Sequence, residues 1–187
     1  MNIIILTHSG RVVTRPDTSW EKDSRDIYLP DFVKALSLSP VLFVKITKPG
    51  RSISERFATR YYDSYGFGCL LYAENLIDSH PEAYASACCL DHSSILPAQM
   101  APCAQLDQEQ IFSIELDGAQ FMNCCGISID RLNQAVALAT SHCSVRHGDL
   151  IAIELDTRKE LPVKTDSSYN LKCFHQEIQS TNLTIFF

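Results

Sequence analysis

The sequence is most informative in what it lacks. No apolar run approaches the roughly 20 residues that a membrane-spanning helix needs, and Met1 to Leu6 carries neither a basic segment nor a signal-peptide cleavage site. The formal net charge is −6, whereas phosphate binding requires clustered Lys and Arg. These absences argue against a membrane or nucleic-acid partner and predict a cytoplasmic protein.

Short cysteine spacings of the zinc-binding kind are also lacking, although the 187 residues include eight cysteines. Two pairs are adjacent in the sequence, and neighbouring cysteines seldom bridge each other. Reduced thiols that act as small apolar residues are therefore the favoured interpretation. The alternative is a soft-metal site built from Cys88, Cys89, Cys124, Cys125, His142 and Cys143.

The hydrophobic pattern favours strands over helices. Hydrophobic residues make up 45% of the chain and charged residues 20%, which is typical of one globular domain spanning residues 1–187. Apolar or β-branched runs predict strands at 2–6, 40–47, 65–72, 111–116, 150–155, 169–174 and 183–187. Helical spacing indicates short helices at 52–63, 73–79 and 129–139, and a polar loop or lid is predicted at 14–26. We therefore expect a mainly β (α+β) fold.

Several segments occur in an order that matches a known family. They are Arg15-Pro16-Asp17-Thr18, Leu29-Pro30-Asp31-Phe32, the stretch 48–63 followed by Gly68, the hairpin signal Asp117-Gly118, Ile129-Asp130 and Gly148-Asp149-Leu150-Ile151. Together they resemble the fumarylacetoacetate hydrolase family. The resemblance implies a mixed β-sheet roll, a shortened N-terminal lid region at 1–35, a core at 36–187 and a homodimer.

The family holds a divalent ion, usually Mg, Mn or Ca, with a Glu-x-Glu pair and a downstream Asp. The ion acts on 1,3-dicarbonyl or acylpyruvate-like acids as a Lewis acid. Placed on this chain, the three ligand positions fall on Ser39, Val41 and Leu70. Because Val and Leu side chains cannot donate an electron pair to a hard cation, the resemblance implies that the metal site is lost and that no cofactor is bound.

The resemblance also suggests residues for a remaining pocket. These positions are Arg15, Asp17, Cys88, Asp91 and Glu154, and Arg15 could grip a small carboxylate with its fork of donors. Asp91-His92-Ser93-Ser94 has the composition of a catalytic triad. Triad members converge from distant segments, so a turn is the preferred interpretation of that string.

Three functions stay open at this point. The first is a degenerate, non-catalytic homologue that binds a small organic acid or has a structural or regulatory role. The second is an active hydrolase, isomerase or decarboxylase with relocated metal ligands chosen from Glu55, Asp63, Glu74, Asp91 and Glu115. The third is a subunit that pairs with a catalytic relative and regulates it.

Overall fold

The computed structural model describes residues 1–77, 80, 82–161 and 168–187, and strands dominate it. The strands are β1 (Ile3–Leu6), β2 (Val12–Arg15), β3 (Trp20–Glu21), β4 (Ile27–Tyr28), β5 (Leu36–Ile46), β6 (Tyr62–Ala73), β7 (Ser94–Ile95), β8 (Ala101–Pro102), β9 (Ile111–Leu116), β10 (Ala119–Cys125), β11 (Leu150–Glu154), β12 (Lys159–Leu161), β13 (Ser168–His175) and β14 (Ile178–Phe186). The α-helices are α1 (Ala83–Cys88) and α2 (Ile129–His142). The predicted mainly β class with few short helices is confirmed.

A nine-stranded sheet forms the larger layer, with strand order β2-β1-β11-β5-β6-β7-β3 and with β12 and β8 pairing to β5 and β6. β1 pairs with β11 in parallel, whereas β5 and β6 form a long antiparallel pair. Every residue of β5 except Lys45 is buried. A strand covered on both faces has a continuous apolar sequence, which is why the pattern at 40–47 predicts a strand.

The nine-stranded sheet curls until its two ends approach each other. β2 and β3 stand at opposite ends of the strand order, yet only the short segment 16–19, with its 3-10 turn Asp17–Ser19, joins them. The predicted loop or lid over 14–26 is therefore wrong in part. Arg15 pairs with Ile3 and Trp20 pairs with Ser94, so tertiary partners turn a polar segment into two edge strands.

A five-stranded sheet, ordered β10-β9-β13-β14-β4, covers one face of the larger sheet. The predicted hairpin at Asp117-Gly118 is confirmed, and both residues have positive φ angles of 51° and 78°. The main hydrophobic core draws on both sheets, as with Phe67 and Phe112, whose stacked ring centroids lie 5.2 Å apart. A second core, which includes Val41 and Leu70, lies on the opposite face inside the curl.

One of the three predicted helices is an α-helix in the structure. The helix predicted at 129–139 is confirmed as α2, and the Ser128 side chain accepts a hydrogen bond from the Arg131 backbone N–H at its start. The other two segments form only 3-10 turns, Glu55–Arg60 and Glu74–Leu76. Residues 78 and 79 of the second prediction lie outside the described residues.

The first 35 residues are integrated into both sheets. They supply β1, β2 and β3 to the nine-stranded sheet and β4 to the five-stranded one. The proposed division into a lid region at 1–35 and a core at 36–187 stays a prediction. Within the part of the chain that the structure describes, none of the helices has the length and apolar character required to cross a membrane.

Candidate functional site

The three predicted metal-ligand positions come together inside the curl of the nine-stranded sheet. Ser39 and Leu70 are direct partners across β5 and β6, and Val41 lies two residues along β5 on the same face. All three are fully buried. The Ser39 hydroxyl donates to the Asp156 carbonyl at 3.2 Å, so the one polar side chain of the three is already engaged.

These positions do not fit a divalent ion. Hard cations need several oxygen ligands, usually including carboxylates, and Val41 and Leu70 offer only hydrocarbon. Across residues 1–77, 80, 82–161 and 168–187, no group of three or more His, Cys, Asp or Glu side chains is arranged to hold a metal.

A guanidinium group lies on this face instead. Arg15 is only 2% exposed. Its Nη1 donates to the carbonyl and hydroxyl of Ser93 at 3.1 and 3.2 Å and to the Ser94 hydroxyl at 3.4 Å. Its Nη2 donates to the Leu71 carbonyl at 2.9 Å. The pairing of β2 with β1 aims this side chain into the curl, because Arg15 lies opposite the buried Ile3.

Tyr72 connects two arginines to a buried carboxylate. The guanidinium carbons of Arg15 and Arg158 lie over its ring, at 4.3 and 4.8 Å from the centroid. The Tyr72 hydroxyl donates to Glu154 Oε1 at 2.5 Å. Burial raises the Tyr72 pKa far above its ordinary value, with Arg15 opposing that shift. The hydroxyl consequently stays protonated and acts as a donor.

Glu154 is held at both carboxylate oxygens. Tyr72 binds Oε1, and the backbone N–H of His8 donates to Oε2 at 2.7 Å. Arg158 is fixed next to it by a carboxylate, since its Nε lies 3.2 Å from Glu74 Oε1. Glu74 also accepts a hydrogen bond from Ser37.

A cavity of about 610 Å³ opens beside this cluster. That volume lies within the range of about 300–1,000 Å³ for small-molecule sites. Its wall includes His8, Arg11, Tyr84, Glu154, Thr157 and Arg158. Burial raises the pKa of Tyr84 to about 12, so its hydroxyl is neutral at physiological pH. The wall therefore combines two arginines with carboxylates and neutral hydrogen-bonding groups.

The predicted pocket residues divide into two groups. Arg15, Cys88 and Glu154 do meet at the cluster, where burial raises the Cys88 pKa and the neighbouring Arg15 and Arg158 oppose the shift. Asp17 lies elsewhere, 60% exposed and 3.8 Å from the Met1 amino group. Asp91 is an exposed turn residue. The structure does not bring these two aspartates into the pocket.

The candidate replacement ligands are dispersed. Glu74 lines the cavity, but Glu55, Asp63 and Asp91 are exposed and Glu115 belongs to β9 of the five-stranded sheet. The 91–94 string forms no triad. His92 Nδ1 lies 3.0 Å from Glu21 Oε2. The hydroxyls of Ser93 and Ser94 accept hydrogen bonds from Arg15.

The cysteines gather no soft-metal site among the described residues, and all eight are free thiols. Cys88 is buried on α1, whereas Cys124 and Cys125 belong to β10 and Cys143 follows α2. Sequence reasoning missed Tyr72, Tyr84 and Arg158 as site residues. Their sequence context does not mark them as site residues, because tyrosines in apolar strands and arginines shortly after such strands are both common.

Solved structures share this architecture across nearly the whole chain. A Yersinia pestis protein assigned to the fumarylacetoacetate hydrolase family superimposes with a TM-score of 0.81 at 18% identity, covering 99% of this chain and 92% of its own. This chain therefore has the fumarylacetoacetate hydrolase fold. Fumarylpyruvate hydrolase from Pseudomonas aeruginosa, solved with Mn²⁺ and pyruvate, gives 0.79 at 13% identity, covering 100% and 90%.

A 2-hydroxyhepta-2,4-diene-1,7-dioate isomerase from Mycobacterium marinum has the same fold, with a TM-score of 0.78 at 15% identity over 98% of this chain and 73% of its own. The sequence matches no protein-family model and no curated protein at a significant level. The fumarylacetoacetate hydrolase fold is thus retained in a sequence that has diverged far from these relatives.

Proposed function

We propose that the chain is a divergent, non-catalytic member of the fumarylacetoacetate hydrolase family that binds a small organic acid without a metal. The observation that carries the proposal is Arg158 at the cavity wall. Its Nε is paired with Glu74, and its side chain is 29% exposed. Its Nη1 is buried and has no acceptor among the described residues. A guanidinium at a cavity wall suits a carboxylate, which it can bind with two donors.

The cavity has further features that suit a small acid. Arg11 and Thr157 line it with Arg158 and can donate to a second oxygen, and Tyr84 offers an aromatic surface. Glu154 is already bound by Tyr72 and the His8 N–H. Both of its oxygens are therefore engaged by donors of the protein.

The experiment is a calorimetric titration of chelator-treated protein with pyruvate, a 2-oxo acid. We expect saturable binding that added Mn²⁺ leaves unchanged. Arg158→Met should weaken that binding by at least tenfold, about 1.4 kcal/mol. Arg131→Met is the matched control, because Arg131 is exposed on α2, and it should bind like the parent. Binding that depends on Mn²⁺, or none for pyruvate and similar acids, would contradict the proposal.

The second candidate is an active enzyme with relocated ligands. Glu74, Glu154 and Glu160 all line the cavity, although the described residues do not gather them into a group that could hold a metal. Titration of the stripped protein with Mn²⁺ and Mg²⁺ separates the two candidates. Stoichiometric binding at micromolar metal, about −8 kcal/mol, followed by turnover of an acylpyruvate, would support the enzyme. No heat at millimolar metal would support the metal-free binding protein.

We also propose that the chain forms a homodimer, as the family resemblance implies. The regulatory alternative predicts a mixed complex with a catalytic relative, which co-purification from native cells would reveal. The cytoplasmic location stays a prediction from the sequence.

A further inference from the structure

A second cavity lies at the opposite end of the strands that lead to the first cavity. β11 begins directly after Asp149, which lines the second cavity, and ends with Glu154, which lines the first. The second cavity has a volume of about 270 Å³. Its wall also includes Trp20, Lys45, Arg146 and His147.

Two cations at this wall have no partner in the protein. Lys45 is the one residue of β5 that is not buried, and it lies on the inner face of the curl because its cross-strand partner Leu150 belongs to the second core. Within the part of the chain that the structure describes, neither the Lys45 ammonium nor the Arg146 guanidinium forms an ion pair or hydrogen bond. In a chain of net charge −6, two such cations at one cavity favour an anionic ligand.

The turn that carries Arg146 is fixed by hydrogen bonds. The Asp149 carboxylate accepts from the backbone N–H groups of Arg146 and Asn2, at 2.8 and 2.7 Å. The Gly148 N–H donates to the Ile46 carbonyl at 2.8 Å, and its φ of 89° is a conformation that favours glycine. The backbone of Arg146 is therefore in place before a ligand binds, which lowers the cost of binding.

The acidic groups near the second cavity are already engaged. Asp149 is 2% exposed and uses both carboxylate oxygens on the N–H groups of the turn and of Asn2. The Met1 amino group, also at the wall, lies 3.8 Å from the Asp17 carboxylate, so these two charges offset each other. Two unpaired cations therefore face one satisfied carboxylate, and the local charge is positive.

We infer that the second cavity binds a phosphate group, carried by a small molecule or free as inorganic phosphate. A phosphate monoester has a charge of about −1.5 to −2 at pH 7 and three acceptor oxygens. Arg146 can bind two of these oxygens with its planar fork, and Lys45 can bind the third as a point charge. Trp20 adds a flat ring, whose Nε1–H donates to the Leu96 carbonyl at 2.8 Å. The inference is independent of the acid proposed for the first cavity.

The fluorescence of Trp20 tests the inference, because Trp20 is the one tryptophan of the sequence and lines the second cavity. Inorganic phosphate should change this fluorescence saturably, whereas KCl of equal ionic strength should not. Lys45→Met and Arg146→Met should each weaken phosphate binding about tenfold, the usual effect of losing a charge-assisted hydrogen bond. Both positions are exposed, so the Tm of each variant should match the parent's.

Two control variants separate this site from other cations. Arg158→Met, which changes the first cavity, and Lys34→Met, at an exposed position, should bind phosphate like the parent. No saturable response to phosphate would overturn the inference. A response that Lys45→Met and Arg146→Met both leave unchanged, or that Arg158→Met abolishes, would also overturn it.

Phenyl phosphate distinguishes the two sources of the phosphate group. Tighter binding of phenyl phosphate than of inorganic phosphate would assign the cavity to a phosphate ester whose flat ring contacts Trp20. Equal binding of the two would assign it to inorganic phosphate. In either case Lys45→Met should weaken both.

Discussion

At the scale of single residues, the contact between Tyr72 and Glu154 has the clearest energetic consequence. Both side chains are buried, and among the described residues the hydroxyl is one of two donors to the carboxylate. Removing one partner leaves a buried acceptor short of a hydrogen bond, at a cost of about 1.5–3 kcal/mol when the acceptor is charged.

We expect Tyr72→Phe to lower the free energy of unfolding by about 1.5–3 kcal/mol in urea titrations. The control is Tyr28→Phe, because Tyr28 is 74% exposed and stacks on Phe186 through its ring. That control should stay within about 0.5 kcal/mol of the parent. Equal effects of the two substitutions would show that the Tyr72 hydroxyl contributes nothing to stability.

The His175 side chain should make the stability of the protein depend on pH. Burial lowers its pKa from 6.5 in the folded state. The unfolded chain therefore takes up a proton first as the pH falls below 6.5, and stability present above that pH is lost as the pH approaches the folded pKa.

His175→Phe should reduce the loss of stability between pH 7 and pH 5, because phenylalanine cannot titrate. It keeps an aromatic ring at this position, where the ring centroids of His175 and Phe67 lie 4.6 Å apart. The measurement is urea unfolding across that pH range. His147→Phe, which changes an exposed histidine, serves as the control. A slope in His175→Phe as steep as in the parent would contradict the assignment.

At the scale of elements, the β9–β10 hairpin rests on its turn. Asp117 and Gly118 both have positive φ, a conformation that costs an ordinary L residue about 1–2 kcal/mol. We expect Gly118→Ala to destabilise the protein by that amount in urea unfolding. Gly118→Asn should cost less, since asparagine tolerates this region. A larger loss for Asn than for Ala would point to a different turn.

The start of α2 supplies another prediction. Ser128 accepts a hydrogen bond from the Arg131 N–H, and replacing such a cap by alanine typically costs about 1 kcal/mol. Ser128→Ala should show this loss in thermal or urea unfolding, whereas Ser144→Ala, at an exposed position after the helix, should not. Indistinguishable variants would argue against the cap.

Local pattern was enough to predict some elements but not others. The sequence predicts β9 and its turn because the alternation of apolar and polar residues and the Asp-Gly pair are signals that lie within a few residues. Trp20–Glu21 is a strand because it pairs with Ser94–Ile95, which pairs in turn with β6. Both pairings are set by the curl of the sheet and not by local pattern. The site divides in the same way: Arg15 and Glu154 could be inferred from the resemblance, while Tyr72 and Arg158 meet only through that curl.

At the scale of the whole molecule, the proposed homodimer predicts a mass in solution. Light scattering coupled to size exclusion should give twice the 21.0 kDa of one chain, because the resemblance to the fumarylacetoacetate hydrolase family implies association through this domain. A mass of 21.0 kDa at all concentrations would refute the dimer.

The parallel pairing of β1 with β11 also dictates when the chain can fold. Asn2 and Asp149, which are hydrogen-bonded at the start of that pair, are 147 residues apart in sequence, so its formation requires a very long loop to close. On the ribosome, the apolar segment Ile3–Leu6 emerges long before its partner strand β11. Chaperone shielding of that segment during synthesis is therefore an expected requirement of this topology.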